Sequence, residues 1–498
     1  MISNCKMNAQ NDPSLGKLGW FFRGKRHQDS LWSWVVCFSA MICNALGLGF
    51  ALSYGVLLPA FMDYFDETRE RTAMICNALG LGFALSFGVL LPVLMDYFGE
   101  TSEKTAGLGS LALSLTFFLT PLPGYFSDRF GCRITNFVGA TLCITGLVTS
   151  SFVQSLTLMF LTHGLLLGLG ISFIYSSCFL VIAKYFKEKL SVATGIVALG
   201  AGFGVFFTGP LLQVLLDSYG WRGTYRIMVV SFIVVCILGL TYNPNVQETT
   251  LVTSFNNDQD KEDKMSRISL YCSLWRFPTF VALVTSMLLT GFSIYIPLIF
   301  LVKYAEDHGI TAKDASLLFI FIGLLSSLGR AVAGMLYKNK KVNPIFIHQA
   351  SLLTLSLCVF LLPFSTSYWS LILFSIVYGF SDGVFITGSL YIPLSCVESK
   401  RKTASFCTSN FLYSLGAVSG SPIAGMIVDH TGSYVHAFYM SSAVAMAAFL
   451  IPMILIPINR KKSKVHPQDN MKEDPKMNKA GSEVIENQNK DQLEEIPC

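Results

Sequence analysis

Two charged residues stand inside apolar stretches long enough to cross a bilayer: Arg330 in LLFIFIGLLSSLGRAVAGMLY and Asp382 in SLILFSIVYGFSDGVFITGSLYIPL. An arginine can hold a carboxylate through two parallel N–H donors, and a carboxylate can face an ammonium. A charge at bilayer depth costs about 2.5–3.5 kcal/mol on insertion scales and usually faces a bundle interior or a watery path. The two residues therefore read as candidate contacts for a small charged solute. Each also has a plainer reading. Arg330 could be a packing residue bonded to backbone carbonyls, and Asp382 a structural hydrogen-bonding group beside Gly383. Arg330 lies eight residues before Lys338, and Asp382 sixteen before Glu398. At 1.5 Å per helical residue these depths are about 12 Å and about 24 Å. Such an offset disfavours a direct ion pair and suits a ligand bridging the two charges.

The elements that must position these residues are membrane helices. The chain has 498 residues, 52% hydrophobic and 13% charged, with a mean hydropathy of +0.54. A water-soluble surface of this size is excluded by that composition. A transmembrane helix needs roughly 20 apolar residues, and about twelve such runs stand in the chain. They are continuous and do not alternate, which excludes a β-barrel. The net charge of +5 is too small to point to nucleic acid. The 13 cysteines are scattered without a metal or redox spacing, so they read as core residues. His163 and His348, alone in apolar runs, read as satisfied core histidines. No hydrolase elbow, HExxH zinc motif or phosphate loop occurs in a suitable context, so an enzyme is not expected and no cofactor or metal is implied.

In chain order, residues 1–31 form a polar, basic tail, expected in the cytoplasm. An N-terminal bundle of six helices is expected over 32–242. Within it, the segment Met41–Ala73 recurs as Met74–Ala106 with six differences. Two nearly identical apolar units are not a solenoid and read as a segmental duplication or as a fault in the gene model. The connectors 63–73 and 96–106 lack a strong positive excess, so twelve working spans and one displaced copy are expected. Further spans are expected near 107–125, 135–153, 157–183, 191–216 and 224–242. Residues 126–134 and 184–190 are basic links, and 217–223 the opposite kind. A polar cytoplasmic linker covers 243–276. A C-terminal bundle follows over 277–458, with spans near 277–304, 314–337, 344–363, 368–396, 404–429 and 434–458. The tail from 459 to 498 is rich in Lys, Glu, Asn and Gln and is expected to be disordered. Both termini then lie on the cytoplasmic side. Two six-span halves joined by a linker are the plan of the major facilitator fold, an all-α membrane architecture whose substrates bind near the midplane.

Three stretches carry a closer resemblance. GYFSDRFGCR, from Gly124 to Arg133, resembles the loop between the second and third spans of major facilitators. Gly124 would let two helices approach, and Asp128, Arg129 and Arg133 could clamp one conformer closed. YFKEKLSVATGIVALGAGFG, from Tyr185 to Gly204, resembles the signature of the monocarboxylate transporter family (solute carrier family 16). Tyr185, Phe186, Lys189, Ala193, Gly195, Gly200 and Gly204 are in register with it, and Glu188 and Leu190 replace basic residues. Gly200 and Gly204 form a GxxxG spacing that allows helices to pack closely in lipid. DSLWSW, from Asp29 to Trp34, resembles the family's other signature, keeping Asp29, Trp32 and Trp34 without the glycines between. Trp32 and Trp34 could equally be interface anchors. IYIPLIFLVKYAEDHGI, from Ile294 to Ile310, is similar to the family's seventh span and following loop.

The resemblance implies a secondary active or facilitative transporter, in the former case a symporter, in the plasma membrane, carrying monocarboxylates or related small organic acids by alternating access. Protons are a coupling ion in part of the family, and some members need a single-span escort glycoprotein. In the proton-lactate branch a first-helix lysine and an eighth-helix aspartate take part in coupling. Here those positions are Leu52, or Leu85 in the second copy, and Ser326. Only Arg330 remains, as the carboxylate anchor. An acid on the tenth helix resembles the branch that carries thyroid hormone and aromatic amino acids, with Asp382 toward the substrate's amine. The alternatives are therefore a carrier of zwitterionic substrates and, in another class, a transport-inactive sensor or scaffold.

Overall fold

The computed structural model describes residues 26–52, 116–154, 160–243, 246–247, 267–339 and 343–469. In hydrocarbon every backbone polar group must be satisfied within its own segment, so long apolar runs become helices. The first half contains α1 (Leu31–Leu52), α2 (Pro121–Phe130), α3 (Cys132–Ser150), α4 (Gly168–Tyr185) and α5 (Leu190–Gly239), with a π-helical stretch, Phe160–Leu167, leading into α4. A short α6 (Arg267–Leu274) precedes the second half. That half comprises α7 (Pro278–Asp307), α8 (Ala312–Leu336), α9 (Pro344–Leu361), α10 (Tyr368–Ser395), α11 (Lys402–Thr431) and α12 (Tyr434–Asp469).

Among the described residues, eleven segments are long and apolar enough to span a membrane. Two lie within α5, which breaks at Gly220, where φ is 64°. Glycine takes that left-handed conformation without a Cβ penalty, and the break falls inside the connector expected at 217–223. Helix starts follow local capping rules. The Thr311 side chain accepts from the Asp314 N–H, Asn343 from that of Ile345, and Ser367 and Ser370 form a reciprocal capping box. Pro278 and Pro344 occupy first-turn positions where a missing N–H costs nothing.

The two halves repeat one packing scheme. α1 packs on α5 and α4, and α3 on α4 and α5; correspondingly α7 packs on α11 and α12, and α9 on α10 and α12. Between halves, α5 meets α8 and α2 meets α11. Serine and asparagine link neighbouring helices internally: Asn136 Nδ2 donates to the Val235 carbonyl at 3.1 Å, and Ser286 Oγ to that of Ala448 at 2.6 Å. Such bonds hold helices together where lipid gives no hydrophobic drive between them.

Several expectations need correction. The linker expected at 243–276 contains helix α6, whose Leu274 packs with Phe280, Val284 and Ala404. A two-residue parallel strand pair, β1 (Arg26–His27) with β2 (Val246–Gln247), ties the segment before α1 to the chain after α5. The last helix continues to Asp469, beyond the tail boundary at 459. Of the repeat, only 41–52 is described; the rest of the first copy and the whole second copy, Asn77 and Leu85 included, lie outside the described residues.

The stretch before α1 is held by one carboxylate. Asp29 has a φ of 55°, uncommon for a residue with a Cβ. Its oxygens accept from the backbone N–H groups of Lys187, Glu188 and Lys189, each at 3.2 Å, at the N-terminal end of α5. A helix start presents unpaired N–H groups and a partial positive charge, which an anion stabilises. Asp29→Ala should cost about 1–2 kcal/mol, the upper range for losing an N-terminal cap. Thermal unfolding in detergent checks this, and an unchanged midpoint would mean that water serves those N–H groups equally well.

Candidate functional site

Arg330 reaches across the interface between halves. Its Nη1 donates to the Ala198 carbonyl of α5 at 3.1 Å. Its Nε is buried without a hydrogen-bond partner. Asp382 Oδ2 accepts from Ser326 Oγ at 2.8 Å. No ion pair within 4.0 Å joins Arg330 and Asp382 among the described residues. Both plain readings are thus partly met, by a carbonyl for the arginine and a serine for the acid. Neither charge is thereby neutralised.

The axial offset is smaller than loop counting suggests. Asp382 bonds Ser326, four residues before Arg330, so the charges differ in height by about one helical turn, about 6 Å. α10 continues to Ser395 whereas α8 ends at Leu336, and depths counted from the two loops had different origins. Glycines set this register. A Cβ on Gly383 would overlap the Ser326 carbonyl and lie 2.9 Å from the Arg330 nitrogen, and one on Gly379 would meet Ile322.

Arg330 and Asp382 line one cavity of about 970 Å³ of atom-free space, including its solvent-open part. Asn44, Asn410, Tyr295 and Tyr413 supply further polar groups, and Phe117, Tyr175, Phe179 and Phe385 form aromatic walls. Tyr413 donates to the Tyr295 hydroxyl at 2.8 Å. Asn44 Nδ2 donates to the Val197 carbonyl at 2.8 Å, leaving its buried Oδ1 unpaired. The site therefore offers a cation, an anion and flat apolar faces in one enclosure.

The glycine signature brackets the cavity. A Cβ on Gly195 would stand 2.9 Å from the Arg330 carbonyl and 3.0 Å from Gly334 Cα, while Gly200 lies against the Met41 carbonyl of α1. Gly204 is also buried. α5 thus uses glycine on two faces, toward α8 and toward α1, where the spacing suggested one. Tyr185 exchanges hydrogen bonds with Asn243, donating to its carbonyl and accepting from its N–H. Phe186 meets Trp34 edge to face at 5.2 Å, and Lys189 Nζ lies 5.9 Å from a Trp34 ring centre. Trp32 and Trp34 both pack on the core. The two signatures, more than 150 residues apart, are one contact.

At the end bearing the basic loops the halves are sealed together. Asp128 accepts from Thr403 Oγ1 at 2.7 Å, Lys402 Nζ donates to the Ala183 carbonyl at 3.4 Å, and a Cβ on Gly124 would overlap Cys407 Sγ. Arg133 Nε donates to the Tyr242 carbonyl at 2.7 Å. Arg129 stays on the outside, donating to Tyr125 and lying over Phe130. The loop's closure across halves is carried by Asp128, with Arg133 bracing its own half. His348 is buried and stacks on Phe385 at 5.0 Å, but its Nδ1 has no partner, so it is not the satisfied core histidine expected. The His163 side chain lies outside the described residues.

A family model described as Major Facilitator Superfamily matches residues 72–417 and 349–488. The chain belongs to the Major Facilitator Superfamily. The likeness to monocarboxylate transporters extends over most of it. Human "Monocarboxylate transporter 10" is 28% identical over 92% of this chain and 83% of its own length, and Xenopus laevis "Monocarboxylate transporter 12" 27% over 68% and 76%. Among solved structures, the human organic anion transporter MFSD10 aligns with a TM-score of 0.61 at 15% identity, covering 84% of this chain and 99% of its own. The proton:xylose symporter XylE aligns at 0.62 and 12% identity, covering 84% and 94%. These neighbours share the major facilitator fold. The protein is a membrane transporter of this superfamily and not an enzyme.

Sequence reasoning overlooked Tyr175, Tyr413 and Asn410. Their signal was polar atoms within apolar runs, which a tyrosine's ring disguises. The helix contact behind the site can be tested. Gly383→Ala should cost about 1–3 kcal/mol through overpacking. Gly323→Ala, on α8 and with nothing within 4 Å of its added methyl, should be neutral. Unfolding midpoints of the two purified variants provide the comparison, and equal midpoints would refute the backbone contact.

Proposed function

We propose that the protein carries small organic acids across the plasma membrane by alternating access, with Arg330 as the carboxylate anchor. The observation that carries the reading is that Arg330 and Asp382 line one cavity without pairing to each other. An unmade ion pair across a cavity is electrostatically ready for a ligand, because a buried charge left unpaired is costly. The Arg330 fork suits a carboxylate bidentately. The relatives named monocarboxylate transporters and the organic anion transporter among the structural neighbours support an acidic substrate.

A second reading makes the substrate zwitterionic and aromatic. Asp382 would take the ammonium, Arg330 the carboxylate, and Phe117, Tyr175 and Phe385 the ring. The aromatic lining favours this version. In either version the two halves, taken as 32–242 and 277–458, rock about the site. Asp128 with Thr403 and Gly195 with Gly334 hold the basic end shut. Positive residues concentrate on cytoplasmic loops, so that end and both termini are assigned to the cytoplasm. A single-span escort at the cell surface remains part of the proposal.

Uptake of labelled lactate, creatine and tryptophan in oocytes tests it. Losing charge-assisted hydrogen bonds worth about 1.5–3 kcal/mol should lower uptake about 10- to 100-fold in Arg330→Ala. Arg330→Lys should recover little, since an ammonium lacks the planar fork. A surface-expressed protein that takes up none of the three would instead be a sensor or scaffold.

Substrate class and proton coupling separate through Asp382. Asp382→Asn should impair tryptophan uptake and spare lactate if the acid faces an amine. Since Ser326 and Leu52 replace the family's coupling residues, uptake should stay flat as external pH falls. An acid-stimulated uptake that disappears in Asp382→Asn would assign the proton to Asp382 and overturn the amine role.

A further inference from the structure

A second cavity lies at the basic end, inside the C-terminal half, between the starts of α7, α9 and α11 and the end of α10. It holds about 1200 Å³ of atom-free space, including its solvent-open part. Met287 and Ser409 line both this cavity and the central one. The two cavities adjoin at these residues, each only 3% exposed.

Its walls are not those of a simple apolar void. Phe277, Phe280, Leu283 and Ile392 provide the apolar part, and Arg401 stands in the wall. The Arg401 side chain is 12% exposed, paired at 3.0 Å with Glu398, which is 65% exposed, and its guanidinium lies 5.3 Å from the Phe277 ring centre. Ser405 is fully buried, lines the cavity and has no hydrogen-bond partner for its hydroxyl. A buried hydroxyl left unpaired costs about 1–3 kcal/mol, so a polar group entering the cavity is favoured there. Lys400 and Lys402 flank Arg401 in sequence, giving the mouth a positive field that raises local anion concentration.

We propose that this cavity is a second binding site, separate from Arg330, for an amphipathic organic carboxylate arriving from the basic side. The carboxylate accepts from Arg401, in competition with the exposed Glu398, and from Ser405 Oγ. The apolar body lies among Phe280, Leu283 and Ile392. Thr403, whose hydroxyl seals the halves through Asp128, is two residues from both Arg401 and Ser405. The cytoplasmic sidedness rests on the proposed orientation, but the binding does not.

Cys396 reports on the site without any engineering. It lines this cavity and is exposed, whereas Cys272 is exposed and does not line it. The purified full chain in detergent is labelled with N-ethylmaleimide, and each cysteine's rate is read by mass spectrometry with and without indole-3-acetate. The site predicts a several-fold slowing at Cys396, none at Cys272, and the same protection in Arg330→Ala. Arg401→Gln should label at the native rate and lose the protection.

Equal rates at Cys396 with and without indole-3-acetate would overturn the site. So would protection that vanishes in Arg330→Ala, since the central cavity would then account for it. Should Arg401→Gln fail to fold, the native and Arg330→Ala comparison still decides. A chain that takes up no organic acid yet protects Cys396 would sink the transport reading and leave this one standing.

Discussion

At Gly195 and Gly334, and again at Gly383 and Ser326, helices meet backbone to backbone with no side chain between them. Lipid offers no hydrophobic force to draw helices together, so contacts this close must come from small residues that admit dispersion and dipole contacts. α8 is the helix caught between the two, with α5 on one side and α10 on the other. That position gives Arg330 its Ala198 carbonyl and Asp382 its Ser326 hydroxyl. Had either glycine a side chain, α8 would stand off and the charges would lose their partial satisfaction. A buried charge that loses its hydrogen-bond partners is costly to keep. The close contacts are therefore a condition of keeping charge in the cavity as well as a feature of stability.

The same contacts bear on movement. Gly195 against Gly334 and Gly124 against Cys407 join opposite halves, and among the described residues they are supplemented by polar bonds such as Asp128 with Thr403, Arg330 with Ala198, Thr120 with Cys407 and Lys402 with Ala183. Smooth backbone surfaces separate without disentangling side chains. The ties within each half are of another kind, with serine and asparagine donating to carbonyls of neighbouring helices, as Asn136 does to Val235 and Ser356 to Ser442. Helices tied within each half, and halves that meet largely through small residues, suit the rocking proposed above.

The sequence made the membrane class, the helix runs and Arg330 legible, because each depends on local facts: apolar length, and one charge where none is expected. It failed where two distant segments share a frame. The depths of Arg330 and Asp382 were measured from separate loops, and the stagger of α8 against α10 is a tertiary quantity that neither run contains. The family signatures at Asp29 and at Tyr185 to Lys189 read as separate motifs. Only folding reveals that Asp29 caps the start of α5 while Trp34 covers Phe186. The aromatic walls were hidden for a different reason. A tyrosine in an apolar run looks like core until its hydroxyl is seen at a cavity, as for Tyr295 and Tyr413.

Ser326 brings the site's difference from the proton-lactate branch that the sequence resembles into one picture. In the proton-lactate branch, that position is expected to carry an acid four residues before the arginine on the same helix, whereas this chain resembles the branch with a tenth-helix acid. Here the helix keeps a serine, and the acid stands on the facing helix with the serine hydroxyl bound to it. The acid that this chain does carry stands about one helical turn from Arg330 in height, on the other helix. An acid one turn from an arginine on its own helix sits at a neighbouring position and tends to pair with it. An acid on the opposite wall leaves a gap that a solute can span. With Ser326 bonded to Asp382 and Arg330 one turn further along α8, the two charges stand on opposite walls of one cavity, which is the arrangement on which the proposed substrate readings rest.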